Sequence, residues 1–214
     1  MGILCALEAE LGAAGAQEWE RQHWLGLELR MGTLGGAAVI SCAAGVGKVA
    51  AAHGAAALLA QGARALLVVG TCGALDRGLP VGTLVHCERA CQVDLAHRAG
   101  RESQPDAQLA ALWRELVPGP GVSFLTADRP VLNPLRRMRL RRAYPEACVA
   151  EMETAAAAAV AVRAGVPWAA LRVVTDGAGF GAGASFRQNL AALGGLAADT
   201  AGSLIQHWSG SAAS

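Results

Sequence analysis

The sequence predicts a single three-layer α/β/α domain built on a central mixed, twisted sheet. Three observations carry that expectation. Short apolar runs alternate with alanine-rich helical stretches and show no repeat period. The runs Leu66 to Val69 and Trp168 to Val174 are continuously apolar, as strands buried on both faces are. At 214 residues, 53% of them hydrophobic and 16% charged, the chain suits one sizeable core and excludes a disordered protein.

The clearest stretch runs from Ala147 to Gly177. Val149 and Ala150 lead into Glu151-Met152-Glu153, and a helix of high alanine propensity follows over Thr154 to Ala164. Gly165 stops it, and Trp168 to Val174 is a strand closed by Thr175-Asp176-Gly177. Carboxylates stand at the turning points, where open α/β sheets bind ligands. Arg172 is costly to bury unless an anion meets it.

The remaining elements follow in order. Gly2 to Leu7 is a strand ending at Glu8-Ala9-Glu10, then a helix or turn and a polar segment from Gln17 to His23. Trp24 to Met31 and Gly35 to Ala44 read as a β-hairpin around Gly32-Thr33-Leu34. Gly45-Val46-Gly47-Lys48 opens a helix running to Gln61. The strand Leu66 to Val69 leads into a tight turn at Gly70-Thr71-Cys72-Gly73. Gly82 to Leu95 is a strand, Pro105 to Leu116 a helix, Val122 to Thr126 a strand and Pro134 to Arg142 a basic helix. One long helix from Arg187 to Gln206 ends the domain over residues 1–208, leaving a polar tail at 209–214.

Net charge is +1, against a global footprint for nucleic acid. No apolar run reaches membrane-spanning length, and the N-terminus enters a strand directly, so the expectation is a cytoplasmic protein. Six cysteines in strand-like contexts fit reduced, buried thiols.

Several motifs invite chemistry. Gly45-Val46-Gly47-Lys48-Val49-Ala50 matches a dinucleotide fingerprint, but no acid follows about 20 residues on to hold a ribose. The Walker spacing is absent too. Helix packing or a backbone site at a helix N-terminus remain open there. His86, Cys87, Cys91 and His97 do not form a zinc set, because Cys87 and Cys91 would lie about 13 Å apart on a strand. Arg136, Arg137, Arg139, Arg141 and Arg142 read as a solvated helix face without stacking aromatics. Glu10, Glu151, Glu153 and Asp176 each end or follow an apolar strand and could share one rim of the sheet; Glu151 is the one most readily explained as a first-turn helix acid.

Taken in order, Ala6-Leu7-Glu8-Ala9-Glu10, Ala44 to Ala50, Gly70 to Leu75, Val149 to Thr154 and Arg172 to Asp176 resemble the nucleoside phosphorylase/nucleosidase superfamily. The resemblance spans almost the whole chain and is nearest to the 5′-methylthioadenosine/S-adenosylhomocysteine nucleosidases. It implies a nucleoside phosphorylase-like fold, a purine nucleoside substrate, a homodimer, and no metal or cofactor. It further implies that Asp176 protonates the purine, Glu153 binds the ribose hydroxyls and Glu10 orients or deprotonates water, with Arg172 nearby. Met152 would pack under the sugar, Thr71 would line the ribose and water site, and Phe186 would cover the ligand. Gly73, Val131 and Glu151 would complete the substrate-binding set.

The phosphorylases of this superfamily carry a phosphate-binding arginine two residues before the glycine corresponding to Gly70. Here Val68 stands in its place, so hydrolysis is expected. Pro130 stands where the methylthioadenosine enzymes stack a phenylalanine on adenine, and Arg98 to Val122 is short. The resemblance therefore also reaches adenosylhopane nucleosidases and futalosine hydrolases, although the former carry aspartate at the position of Glu151. The rivals from other classes are a nucleoside-binding protein without turnover and a nicotinamide-dependent oxidoreductase.

Overall fold

The sheet is assembled along the two edges of β5 (Leu66–Ala74), which is buried at every position. The computed structural model describes residues 1–12, 19–34, 36–96, 101–146 and 148–208. β10 (Trp168–Asp176) runs parallel to β5 along one edge, from the Trp168–Leu66 pair to Asp176–Gly73. Two strands share the other edge. β1 (Gly2–Cys5) pairs in parallel with Leu66 to Val68, and β9 (Cys148–Glu151) pairs antiparallel with Gly73 and Ala74. Between them, the edge around Thr71 is left to side chains.

Beyond β1 the sheet continues through β4 (Ala37–Ala43) and β3 (Leu27–Leu34) to β2 (Glu20–Trp24). In the other direction β10 pairs antiparallel with β6 (Leu84–Gln92), β6 pairs in parallel with β8 (Gly121–Thr126), and β8 with β9. Because β9 returns to β5, five strands close on themselves while β1 to β4 form an open arm. The two-residue β7 (Glu102–Ser103) borders β6.

Alternation along β5 makes the layers. Leu66, Val68, Cys72 and Ala74 meet Ala51, Ala55 and Leu58 of α1 (Lys48–Ala60) and Ala157 and Ala161 of α4 (Thr154–Arg163). Leu67 and Val69 face the other way, toward Leu109 and Trp113 of α2 (Ala107–Leu116), Ala197 of α6 (Leu196–Asp199) and Leu204 of α7 (Ala201–His207). α5 (Ala182–Leu193) packs on β10, and α3 (Pro134–Ala143), the arginine helix, buries no residue. The three-layer expectation holds.

Local expectations change in four places. The turn predicted at Gly70 to Gly73 is continuous strand, because the glycines there admit neighbouring side chains instead of bending the chain. Of the polar segment at Gln17 to His23, residues 17 and 18 lie outside the described residues and Glu20 to His23 fall in β2, an edge strand whose charged side chains suit exposure, while Gly32 to Leu34 lie within β3. The long final helix is three helices starting at Ala182. It breaks at Gly194-Gly195, where the two glycines close on Ala9 and Gly12: a Cβ at Gly195 would lie 2.6 Å from Gly12 Cα. Ala147, His97 and the tail at 209–214 lie outside the described residues.

Candidate active site

Arg172 lies in the middle of β10 and is 2% exposed, so its charge must be met inside the protein. Its Nη2 is 2.8 Å from Glu151 Oε2 and 3.1 Å from Glu153 Oε2. Nη1 donates to Thr71 O at 2.7 Å and Nε to Thr154 Oγ1 at 3.1 Å. Burial works against the guanidinium charge, but the two glutamates outweigh it and hold the Arg172 pKa above its ordinary value.

Glu151 is the buried hinge of this set. It accepts from the hydroxyls of Thr126 and Thr154 and from the backbone N–H groups of Glu153 and Thr154, at 2.9 and 2.7 Å for the last two. It therefore satisfies the N-terminus of α4 while pairing with Arg172. Glu153 turns to the opposite helix: its Oε1 accepts from Gly47 N at 2.9 Å, at the start of α1. Burial raises the Glu153 pKa, against the opposing pull of Arg172.

Glu10 fills the gap in the edge of β5. Its Oε1 accepts from Thr71 N at 2.9 Å and Thr71 Oγ1 at 2.7 Å; its Oε2 accepts from Ala6 N at 3.1 Å and Leu7 N at 3.0 Å. The carboxylate thus replaces a missing strand partner. Gly70, at φ 149°, makes the approach possible, since a Cβ there would lie 2.9 Å from Glu10 Oε1.

Asp176 ends β10 under different conditions. Its Oδ1 accepts from Ala178 N at 2.8 Å and its Oδ2 from Thr175 Oγ1 at 3.2 Å. Ala178 reaches it from the left-handed region, at φ 43°. Gly73 leaves the space: a Cβ there would sit 2.7 Å from Oδ1. Burial raises the Asp176 pKa, and the two hydrogen bonds only partly oppose this.

These groups surround one cavity of about 430 Å³. Leu7, Val46, Met152 and Phe186 add apolar walls, and Pro130 and Val131 close the side reached by the 128–133 loop. A neighbouring groove of about 730 Å³ is lined by Arg77, Arg137 and Phe180 and holds none of these glutamates, nor Asp176. Buried carboxylates around a part-apolar space make the smaller cavity the chemically equipped one.

Comparison with known proteins agrees with this geometry. Residues 1–207 match the family described as the Phosphorylase superfamily. The chain belongs to the phosphorylase superfamily. A 5′-methylthioadenosine/S-adenosylhomocysteine nucleosidase of Geobacillus thermodenitrificans is 28% identical, covering 88% of each chain. One from Geobacillus kaustophilus is 30% identical over 77% of this chain and 78% of its own. Among solved structures, an S-adenosylhomocysteine nucleosidase from Streptococcus pyogenes in complex with 5-methylthiotubericidin superposes with a TM-score of 0.91 at 25% identity, covering 97% of this chain and 96% of its own. A futalosine hydrolase of Helicobacter pylori shares the fold at a TM-score of 0.88 and 23% identity, covering 95% and 96%.

In this phosphorylase-superfamily chain all ten residues singled out from sequence border the one cavity: Glu10, Glu153 and Asp176 with Thr71, Gly73, Val131, Glu151, Met152, Arg172 and Phe186. They are not equivalent. Glu151 and Arg172 reach the cavity with their polar atoms already taken, whereas Met152 and Phe186 are only partly buried. Sequence reasoning passed over Thr126 and Thr154, the hydroxyls that complete the Glu151 site. A threonine directly after two glutamates at a helix start was the available signal for Thr154. The glycine motif at Gly45 to Lys48 has a use as well, through the Gly47 N–H on Glu153.

Proposed function

We propose that the chain hydrolyses the N-glycosidic bond of a 5′-substituted purine nucleoside, of the methylthioadenosine or adenosylhomocysteine kind, and releases the free base. The observation that carries this reading is the meeting of Glu10, Glu153 and Asp176 on one cavity where, among the described residues, the one deeply buried guanidinium is already paired. Arg172 engages Glu151 and Glu153, and Val68 is a fully buried apolar residue. Neither is free to neutralise a phosphate dianion at the cavity floor.

The roles follow from environment. Asp176 keeps its proton to higher pH than an ordinary aspartate and donates it to the purine's imidazole nitrogen as the bond from C1′ to the base breaks. The bond's electrons leave with the base. Glu153 accepts from the ribose hydroxyls, an interaction that strengthens as positive charge develops on the sugar. Glu10 and the Thr71 hydroxyl, 2.7 Å apart, hold the water that attacks C1′, and its proton passes toward Glu10. The apolar side chains of Leu7, Val46, Met152 and Phe186 suit a thioether or alkyl 5′-substituent. Exposed Val49 and Val162, at 87% and 56%, support pairing of α1 and α4 with a second copy in a homodimer. Six free, buried cysteines suit a reducing cytoplasm.

Incubation with methylthioadenosine, adenosylhomocysteine, futalosine and inosine, with and without phosphate, tests the reading. Free base and a reducing sugar without phosphate are expected. Phosphate-dependent ribose 1-phosphate would overturn hydrolysis, and thermal stabilisation by nucleoside without base release would favour a binding protein.

A further inference from the structure

Lys48 has no part in the chemistry above, yet its position is unusual. It is the first residue of α1, where the helix dipole disfavours a cation, and no acid shares that first turn. Its side chain is nevertheless only 15% exposed. The ammonium lies 2.6 Å from Asp94 Oδ1 and 3.1 Å from Asp128 Oδ2. The second Asp94 oxygen accepts from the Asp128 backbone N–H at 2.6 Å. Two carboxylates from separate parts of the chain thus meet one lysine.

The location gives the cluster its meaning. Asp94 lies just beyond β6, and Asp128 opens the loop whose Arg129 to Leu132 line the catalytic cavity. Val131 of that loop packs in one apolar cluster with Ala178, whose N–H binds Asp176. One residue before Lys48, the Gly47 N–H binds Glu153. Consecutive residues therefore touch the sugar-side carboxylate and the loop beside the proposed acid.

We propose that Lys48 is a positioning residue: with Asp94 it clamps the loop beginning at Asp128 to the start of α1, fixing the wall at the Asp176 end relative to Glu153. The proposal rests on the nucleosidase reading for its kinetic consequence, but the clamp itself can be read without turnover. The variants are Lys48→Met, Lys48→Arg, Asp128→Asn and the Lys48→Met/Asp128→Asn pair. Hydrogen exchange of the 128–133 amides is measured beside steady-state kinetics on the best nucleoside.

Lys48→Met is expected to speed exchange in that loop several-fold and to raise KM by about 10-fold with kcat nearly unchanged, the pattern of lost substrate positioning. Lys48→Arg should restore both. The double variant should be no worse than either single one, since the two side chains act as one contact. Asp128 is 63% exposed, so its pairing with Lys48 contributes little to global stability and melting should move by only a few degrees. Unchanged loop exchange in Lys48→Met, or a KM within twofold of the parent, would overturn the clamp, and so would additive effects in the double variant. A parent that releases no base would instead defeat the nucleosidase reading, leaving loop exchange to decide the clamp.

Discussion

The two ends of the cavity handle charge in opposite ways. At the proposed sugar end Arg172, Glu151, Glu153 and Glu10 form a saturated network in which each side chain answers several buried partners. At the proposed base end the described residues give Asp176 only an amide and a hydroxyl, and Leu132, 50% exposed, borders the same cavity. The difference is chemical. A group whose task is to hold one position gains from saturation, whereas an acid proposed to give up a proton gains from having few partners in a desolvating pocket.

Asp176→Asn breaks the comparison most sharply. The asparagine oxygen can still accept from Ala178 N, so the fold should persist, while loss of the transferable proton should lower kcat by about 10²–10⁴-fold. The pH profile gives the matching sign. Burial raises the Asp176 pKa above 3.8, so the protonated, active form survives above that value and kcat/KM falls as pH rises through the raised pKa. The same group's contribution to stability is complete below its unfolded pKa and is lost as pH rises through the folded one. An alkaline limb that persists unchanged in Asp176→Asn would remove Asp176 from the acid role.

The saturated end should fail as structure before it fails as chemistry. Arg172→Met leaves Glu151 and Glu153 buried without their cation, a loss of about 3–5 kcal/mol. Urea denaturation of the variant measures it. A loss below 1 kcal/mol would mean that the threonine hydroxyls and backbone amides suffice to hold both carboxylates.

The same contrast explains what could be read before the structure. Arg172 was legible because an isolated charge in an apolar strand demands a counter-charge, and Glu151 and Glu153 supply it. Helices and buried strands of the Ala147 to Gly177 stretch were legible from alanine content and unbroken hydrophobicity. The path of β5 was not. Glycine at Gly70 and Gly73 suggests a turn locally, and only the tertiary approach of Glu10 and Asp176 explains why side chains are absent from a straight strand. The Gly194-Gly195 break was hidden for a similar reason, since the contact with Ala9 and Gly12 is distant in sequence. The Gly47–Glu153 bond joins residues 106 positions apart, which no local pattern reports.

A gain of function at the open end would sharpen the comparison further. Pro130 borders the cavity at the position where the family resemblance implies a stacking phenylalanine, and its ring offers no π face to a purine. Pro130→Phe should supply one, worth about 0.5–1.5 kcal/mol, and so lower KM by about 2- to 12-fold while leaving kcat nearly unchanged. The same change frees the backbone of the unfolded chain and should cost about 0.4–1 kcal/mol of stability. The two effects are separable, because one is read in KM and the other in the melting temperature. An unaltered KM would mean that the base does not lie against this wall, and the assignment of the Asp176 end as the base side would have to be reversed.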